Sequence, residues 1–576
     1  MIKIKDHKTP DMFDPIPFLG PRRKQLMATS WAKLFRDEIL PALPVEKVYC
    51  HYNTSQGAPT KELYTVLGLM IIQQMLDLTD EETSSQVAFN IQWHYALNIT
   101  STTDADTYIS PKTLWTMRDN LTYRNLYNDI FECVAAKLAA VFSADVSRQR
   151  IDSVHVFSNM RHLGRIGLFV KTIKKFLVNL KRHHKDLFES LEAAIADRYM
   201  TKQGETVFSM VKPSESVKTL ATLADDVFTL VELFKGNAPV AGMSSYHLLA
   251  RLLKEQCIVE ANPDSGASRV SVKANKDVPS DSLQNPSDAD ASYDGHKGKG
   301  YQVQVAESYG ITGETNTLSL ITAVAVEPAH KSDAHALIPL IESAQERGLG
   351  PKEVTVDSLY GSDENCQKAK GLGVDVVSPV MGKTPEGAIT LADFTTTGEG
   401  AVTVCLAGHA PEKTVQSDGK HSVAFNAQVC EACPFLNDCP VSAGEKGHVL
   451  RYTDKTLRLA KRRAREDTAA FRNVYRYRSG IEGTMSQYDR VTGVKHLRVR
   501  GLHAVSFAAV MKAVGINILR ATAFRNEKNE DESAPSTAAS RLYSSFKDRL
   551  RQVIAVSTRW GNLLQPYGPT PVPGIA

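Results

Sequence analysis

The sequence predicts an α/β protein: a mixed sheet with helices packed on it, behind an all-helical N-terminal region. Three observations carry this. The run Arg150-Ile151-Asp152-Ser153-Val154-His155-Val156 alternates as a half-buried strand does. Two further runs, Gly300 to Ala306 and Leu318 to Val326, flank a turn signal at Gly310-Ile311-Thr312-Gly313 and read as paired strands. Then Glu353 to Asp357, a helix over 363–370 and Val374 to Pro379 repeat a strand–helix–strand order, which gives a mixed α/β layer with helices packed on the sheet.

The elements follow in order. Residues 24–144 carry Leu, Ile and Met at helical spacing, and a first domain is expected over 1–147. Trp31 to Leu40 reads as a helix stopped by Pro41, and Lys61 to Leu78 as another. Ser110 before Pro111 reads as an N-cap followed by proline at the first helical position. This domain is either a DNA-binding module of helix-turn-helix type or a helical scaffold. A second domain is expected over 148–525. It has a helical insert near 161–260, a polar linker from Asn262 to Asp294 and a Cys-rich insert near 384–447. Helix is expected from Lys455 through Glu482 and again over 504–524, the latter apolar enough to be core. Residues 526–576 read as a loosely ordered tail.

With 576 residues and a formal net charge of +4, the chain has room for several domains and is not strongly basic overall. Its bases are clustered, at Lys171 to Lys185 and at Lys455 to Arg500, the second holding Lys461-Arg462-Arg463-Ala464-Arg465. Clustering matters more than the sum for nucleic-acid binding. No apolar run approaches the ~20 residues of a membrane span, and the N-terminus lacks the apolar core of a signal peptide. A soluble cytoplasmic protein without a membrane partner is expected.

Inside the second basic cluster stands one acid, Glu482, in Tyr475-Arg476-Tyr477-Arg478-Ser479-Gly480-Ile481-Glu482. On one helix, Tyr475, Arg478, Glu482 and Asp489 would share a face. Asp152 lies mid-strand and Asp357 ends a strand. An acid in a buried strand is expensive unless paired or metal-bound. Singly, each reads as a turn cap or a salt bridge. Together they form a set of hard oxygen donors suited to Mg²⁺ or Mn²⁺, with Arg and Lys near by for phosphates.

These residues carry a family resemblance. Asp152 in RIDSVHVFSNM, Asp357 in VTVDSLYGS and Glu482 in YRYRSGIEGTMSQYDRVTG resemble the three acids of bacterial insertion-sequence transposases of the DDE type. YDGHKGKGYQVQVAES and HLRVRGL support it, over about residues 10–525. The family's Tyr-x2-Arg-x3-Glu pattern is met by Tyr475, Arg478 and Glu482. Two positions depart from it: Asp489 stands where the family has a base, with Arg490 next to it, and Val154 replaces a hydroxyl residue. The resemblance implies an RNase H-like catalytic core, interrupted before the Glu, with two Mg²⁺ (or Mn²⁺) ions shared by Asp152, Asp357 and Glu482. It implies water-driven cleavage at the element's 3′ boundary and attack of the freed 3′-OH on target DNA, with no covalent protein–DNA intermediate. Its partners would be the element's terminal inverted repeats and target DNA, bound by a homodimer. Tyr475, Arg478, Arg490, Lys495 and Arg498 would contact DNA, though simple helix packing serves Tyr475 equally well. The alternatives are a DNA-binding derivative that no longer cuts and a metal-dependent nuclease without strand transfer.

Cys430-x2-Cys433-x5-Cys439, with Cys405 upstream, gathers four thiols in one loop-rich insert. Reduced thiols at this spacing suit structural Zn²⁺, with His409 and His421 as competing ligands. Free thiols or a redox pair are the other readings.

Overall fold

The computed structural model describes residues 2–9, 15–53, 59–101, 103–200, 211–261, 268–311, 317–383, 387–444 and 447–533. Six strands form the main sheet: β1 (Arg148–Phe157), β2 (Ser292–Asp294), β3 (Gly298–Ser308), β4 (Ile321–Pro328), β5 (Glu353–Thr355) and β6 (Asp375–Val377). Their order is β4–β3–β1–β5–β6, with the short β2 also on β3. β1 pairs antiparallel with β3, and β3 with β2 and β4. On its other edge β1 runs parallel to β5, and β5 to β6. This is the mixed, RNase H-like sheet, and both faces of β1 are covered: Ile151 is buried on one, Val154 and Val156 on the other.

Gly300 lets β3 lie beside β1. It pairs with Phe157, has φ of +151°, and a Cβ there would stand 2.0 Å from the Val156 carbonyl oxygen. Only glycine fits, which accounts for the GKGY motif. One face of the sheet buries Ile151, Ala306, Ala323 and Val354 against Leu337, Leu340 and Ile341 of α1 (Leu337–Glu346). Each such aliphatic side chain contributes about 1.5–3 kcal/mol by leaving water. Helix α2 (Asp363–Gly371) joins β5 to β6.

The expected helix from Lys455 through Glu482 is instead three pieces and a turn. They are α3 (Asp454–Glu466), α4 (Ala469–Tyr475), a 3-10 turn (Arg476–Ser479) and α5 (Gly480–Thr492). The Thr468 hydroxyl accepts from Phe471 N and so starts a new helix. α6 (Leu502–Ser533) is long and apolar enough to cross a membrane by length and composition. Phe507, Val510, Met511, Val514 and Ile518 are nevertheless buried, and the Asn517 side chain pairs with both the amide and the carbonyl of Ile321. It is a core helix. Compactness divides the chain at residue 520, and of the expected tail only 526–533, the end of α6, is described.

Upstream of β1 the chain is helical, as expected, around Leu63–Met75, which is buried except at Gln74. Ser110 caps Pro111–Tyr123 through Thr113 N. The Trp31 helix is irregular: α-helix to Leu34, a π-turn over Phe35–Ile39, then a 3-10 turn over Leu40–Ala42. Pro41 has no N–H and crowds the carbonyl four residues back, so the helix widens before it ends. Helices from Arg165 to Gln256 form a separate core around Phe169, Ile173, Phe176, Leu230 and Leu249. The stretch expected to be a linker contains a strand, Ser268–Val272, paired with Cys257–Ala261, because Val270 and Val272 pack on that core.

The Cys-rich insert has more structure than its composition suggests. Four antiparallel strands run in the order Lys413–Ser417, Lys420–Phe425, Gly447–Thr453, Ser442–Gly444. Phe394, Val402, Val423, Phe425, Leu450, Tyr452 and Leu457 make its core.

Candidate active site

Parallel pairing aligns the two aspartates. Arg150 is level with Thr355, so the register carries Asp152, midway along β1, toward Asp357, which follows the carboxyl end of β5. Asp357 accepts Leu359 N at 2.9 Å, which fixes the turn after β5. Asp152 accepts Ser153 N at 2.8 Å. One Arg478 Nη2 lies 2.9 Å from Asp152 and 3.8 Å from Asp357, and so bridges the two. Burial still holds the Asp152 carboxyl above the usual carboxylate range, opposed by the Ser153 amide and Arg478 and reinforced by Asp357 and Asp333.

Glu482 sits exposed in the first turn of α5 and faces the same side as Asp152. Both line an open cleft of about 490 Å³, with His155, Lys297, Arg490 and Lys495 on its walls. A buried network docks α5 on the sheet. Glu307 on β3, 0 % exposed, accepts Arg150 Nε at 2.6 Å, Arg520 Nη1 at 2.9 Å and Thr484 Oγ1 at 2.6 Å. Arg150 Nη1 also donates to the Tyr477 carbonyl at 2.7 Å, tying down the turn that carries Arg478. A Cβ on Gly480 would lie 2.0 Å from that same Nη1. The glycine of the Gly-Ile-Glu motif therefore makes room for the arginine that docks the helix.

The expected single helical face is spread over α4, the 3-10 turn and α5, yet Glu482 and Asp489 still share the cleft. Tyr475 stacks on Phe471 with centroids 5.3 Å apart, and burial raises its phenol. Arg490 is exposed on the cleft wall. Lys495 Nζ lies 3.6 Å from Asp489. Arg498 lies away from the cleft and donates to Asp77 at 3.1 Å, in a site shared with buried Lys512. The run from Lys461 to Arg465 is also occupied: Lys461 reaches Thr396, Arg462 the Ser378 carbonyl, Arg463 the Met381 carbonyl and Arg465 Asp375. Cys405, Cys430, Cys433 and Cys439 are free thiols around one small cavity of the insert. Among the described residues, no three His, Cys, Asp or Glu side chains are already drawn together as a metal-binding set.

Four residues escaped the sequence reading. Lys297 reaches Ser153 Oγ at 3.2 Å and Asp333 at 3.5 Å. Asp294 presents it by accepting Lys297 N at 2.6 Å. The YDGHKGKGY motif was its signal. Asp333, Glu307 and His155 had no signal beyond residue type. Neither ring nitrogen of His155 has a hydrogen-bond partner, and burial lowers its pKa.

Two family models match the chain. A transposase DDE domain covers residues 404–522, which includes Glu482 and the cleft residues Arg490 and Lys495 but neither aspartate. A transposase domain (DUF772) covers residues 31–120, within the N-terminal helices. No curated protein matches the chain. Both transposase domains occur in order with a mixed α/β sheet, which supports an insertion-sequence transposase of the DDE type.

Proposed function

We propose that the chain binds the terminal inverted repeats of its element, cleaves strands there and joins them to target DNA, with Asp152, Asp357 and Glu482 as the catalytic acids. The observation that carries this is the shared cleft. Asp152 from the sheet and Glu482 from α5 line it together, and Arg478 couples Asp357 to Asp152. The donor set fits a divalent ion: hard carboxylate oxygens, one of them desolvated, with Asp333 adding negative charge. Arg478 occupies the space between the two aspartates, so loading would move its guanidinium aside. When bound, Mg²⁺ or Mn²⁺ supplies Lewis-acid activation and offsets charge at the phosphate.

The chain's own residues supply the rest. Lys297, Arg490 and Lys495 hold phosphates as cations on the cleft wall. Arg478, freed from the carboxylates, is placed for a bidentate phosphate contact, and Tyr475 packs next to it. Two element ends have to be brought together, so a homodimer on DNA is part of the reading.

The test is cleavage and joining of a labelled element-end duplex in Mg²⁺ by wild type and by Glu482→Gln. The reading expects both steps from wild type and neither from the variant, with DNA binding kept by both. Cutting without joining would indicate a nuclease. Binding without cutting by wild type would indicate a derivative that no longer cuts.

A further inference from the structure

We infer that the insert carries a structural zinc site made by Cys405, Cys430, Cys433 and Cys439. The proposal is independent of the DNA chemistry, and its test needs no DNA.

The four thiols come from two separate loops of the insert. Cys405 follows the strand Val402–Val404 and closes a tight turn: its amide donates to the His409 carbonyl at 2.9 Å, and His409 N donates to Cys405 Sγ at 3.4 Å. The other three lie on consecutive turns, with Cys433 N on the Cys430 carbonyl at 3.0 Å and Cys439 N on the Leu436 carbonyl at 3.3 Å. The short helix Ala427–Glu431, capped by Asn426, fixes where the second loop begins. All four cysteines line one cavity, together with His409 and Phe425.

The cavity's size selects its occupant. It is about 30 Å³, room for one or two water-sized bodies and too small for an organic ligand. Its walls are otherwise apolar, so water would find few partners there. A soft cation with four thiolates satisfies such a site, and tetrahedral Zn²⁺ is the common case. The insert also gains from it. Seven side chains make its core, and a metal that ties Cys405 to the Cys430–Cys439 loop adds binding energy to folding energy. The thiols surround one cavity without yet converging on one point, so binding would draw the two loops together.

The experiment uses the full chain expressed with added zinc. Elemental analysis is expected to give about one zinc per chain. After exchange with Co²⁺, intense tetrahedral d–d bands and thiolate-to-cobalt charge transfer are expected. The charge-transfer intensity should fall by about a quarter on replacing one of four thiolates. Cys405→Ser and Cys433→Ser should lose most of the zinc, while Cys50→Ser should keep it. If the serine variants do not fold, Cys439→His keeps a ligand in place and should retain zinc with one thiolate fewer in the cobalt spectrum. Wild type with far less than one zinc per chain would overturn the proposal. So would full charge-transfer intensity in Cys439→His.

Discussion

Asp152 carries a cost that its environment only partly offsets. Burial, the largest influence, raises its carboxyl, while the Ser153 amide and Arg478 act against it. The sign for stability follows. A folded-state pKa above the unfolded one gives stability that is complete below about pH 4, the unfolded value, and is lost as pH rises through the folded value. At neutral pH the ionised carboxylate therefore costs stability in metal-free protein. Asp152→Asn removes that charge at similar volume. In EDTA near pH 7 its Tm should equal or exceed that of wild type, with the gap narrowing toward about pH 4. Adding Mg²⁺ should raise the wild-type Tm and leave the variant's unchanged. A variant that melts well below wild type at pH 7 without metal would mean that the Arg478 pairing outweighs burial. Under the catalytic role proposed for Asp152, such a gain is the usual trade between stability and chemistry.

At the scale of one element, α5 offers an internal control because it contains two glycines in different surroundings. Helix propensity alone favours alanine by about 1 kcal/mol at each. At Gly483 nothing lies within 4 Å of the place a Cβ would take, so Gly483→Ala should be neutral or stabilising by up to that amount. At Gly480 the Cβ would meet Arg150 Nη1 at 2.0 Å. That guanidinium is not free to swing away, since Glu307 and the Tyr477 carbonyl hold it. Breaking a buried ion pair costs about 3–5 kcal/mol, so a partial displacement should win over propensity. Gly480→Ala is expected to destabilise by about 1–3 kcal/mol in urea unfolding. In a Glu307→Gln background that cost should shrink, because Arg150 is then already loosened. Equal effects at the two glycines would remove the docking network as the reason for the Gly-Ile-Glu motif. The same helix shows what was legible in sequence. Alternation on β1 and β3 gave the strands, and Glu482 stood out as an acid among bases. The break at Thr468 was hidden, because a local capping bond competed with a continuous helical pattern. Glu307 and Asp333 were hidden too, since their roles depend on partners far along the chain. The insert's sheet was missed because its strands are short and mostly half-exposed.

Over the whole molecule, the net charge of +4 says little about where DNA would lie, and the density of bases in sequence is a misleading guide. The densest run, on α3, is spent on holding the molecule together. Arg458 pairs with Asp363 on α2, and Arg463 and Arg462 bind carbonyls of the segment after β6. Arg490, Lys495 and Lys297 are fewer, but they stand on the wall of the cleft that holds Asp152 and Glu482. Binding to DNA releases counterions, and the slope of log K against log salt counts the phosphates neutralised, at about −0.9 each for duplex. Two classes of variant should therefore separate. Arg490→Ala should weaken binding to any duplex and flatten the slope by about 1. Arg463→Ala should leave the slope unchanged, while lowering stability by about 1 kcal/mol through loss of its bond to the Met381 carbonyl. Titrations at several salt concentrations, alongside unfolding curves for the same proteins, measure both. If Arg463→Ala flattens the slope and Arg490→Ala does not, DNA runs along α3 and the cleft is not where its phosphates sit.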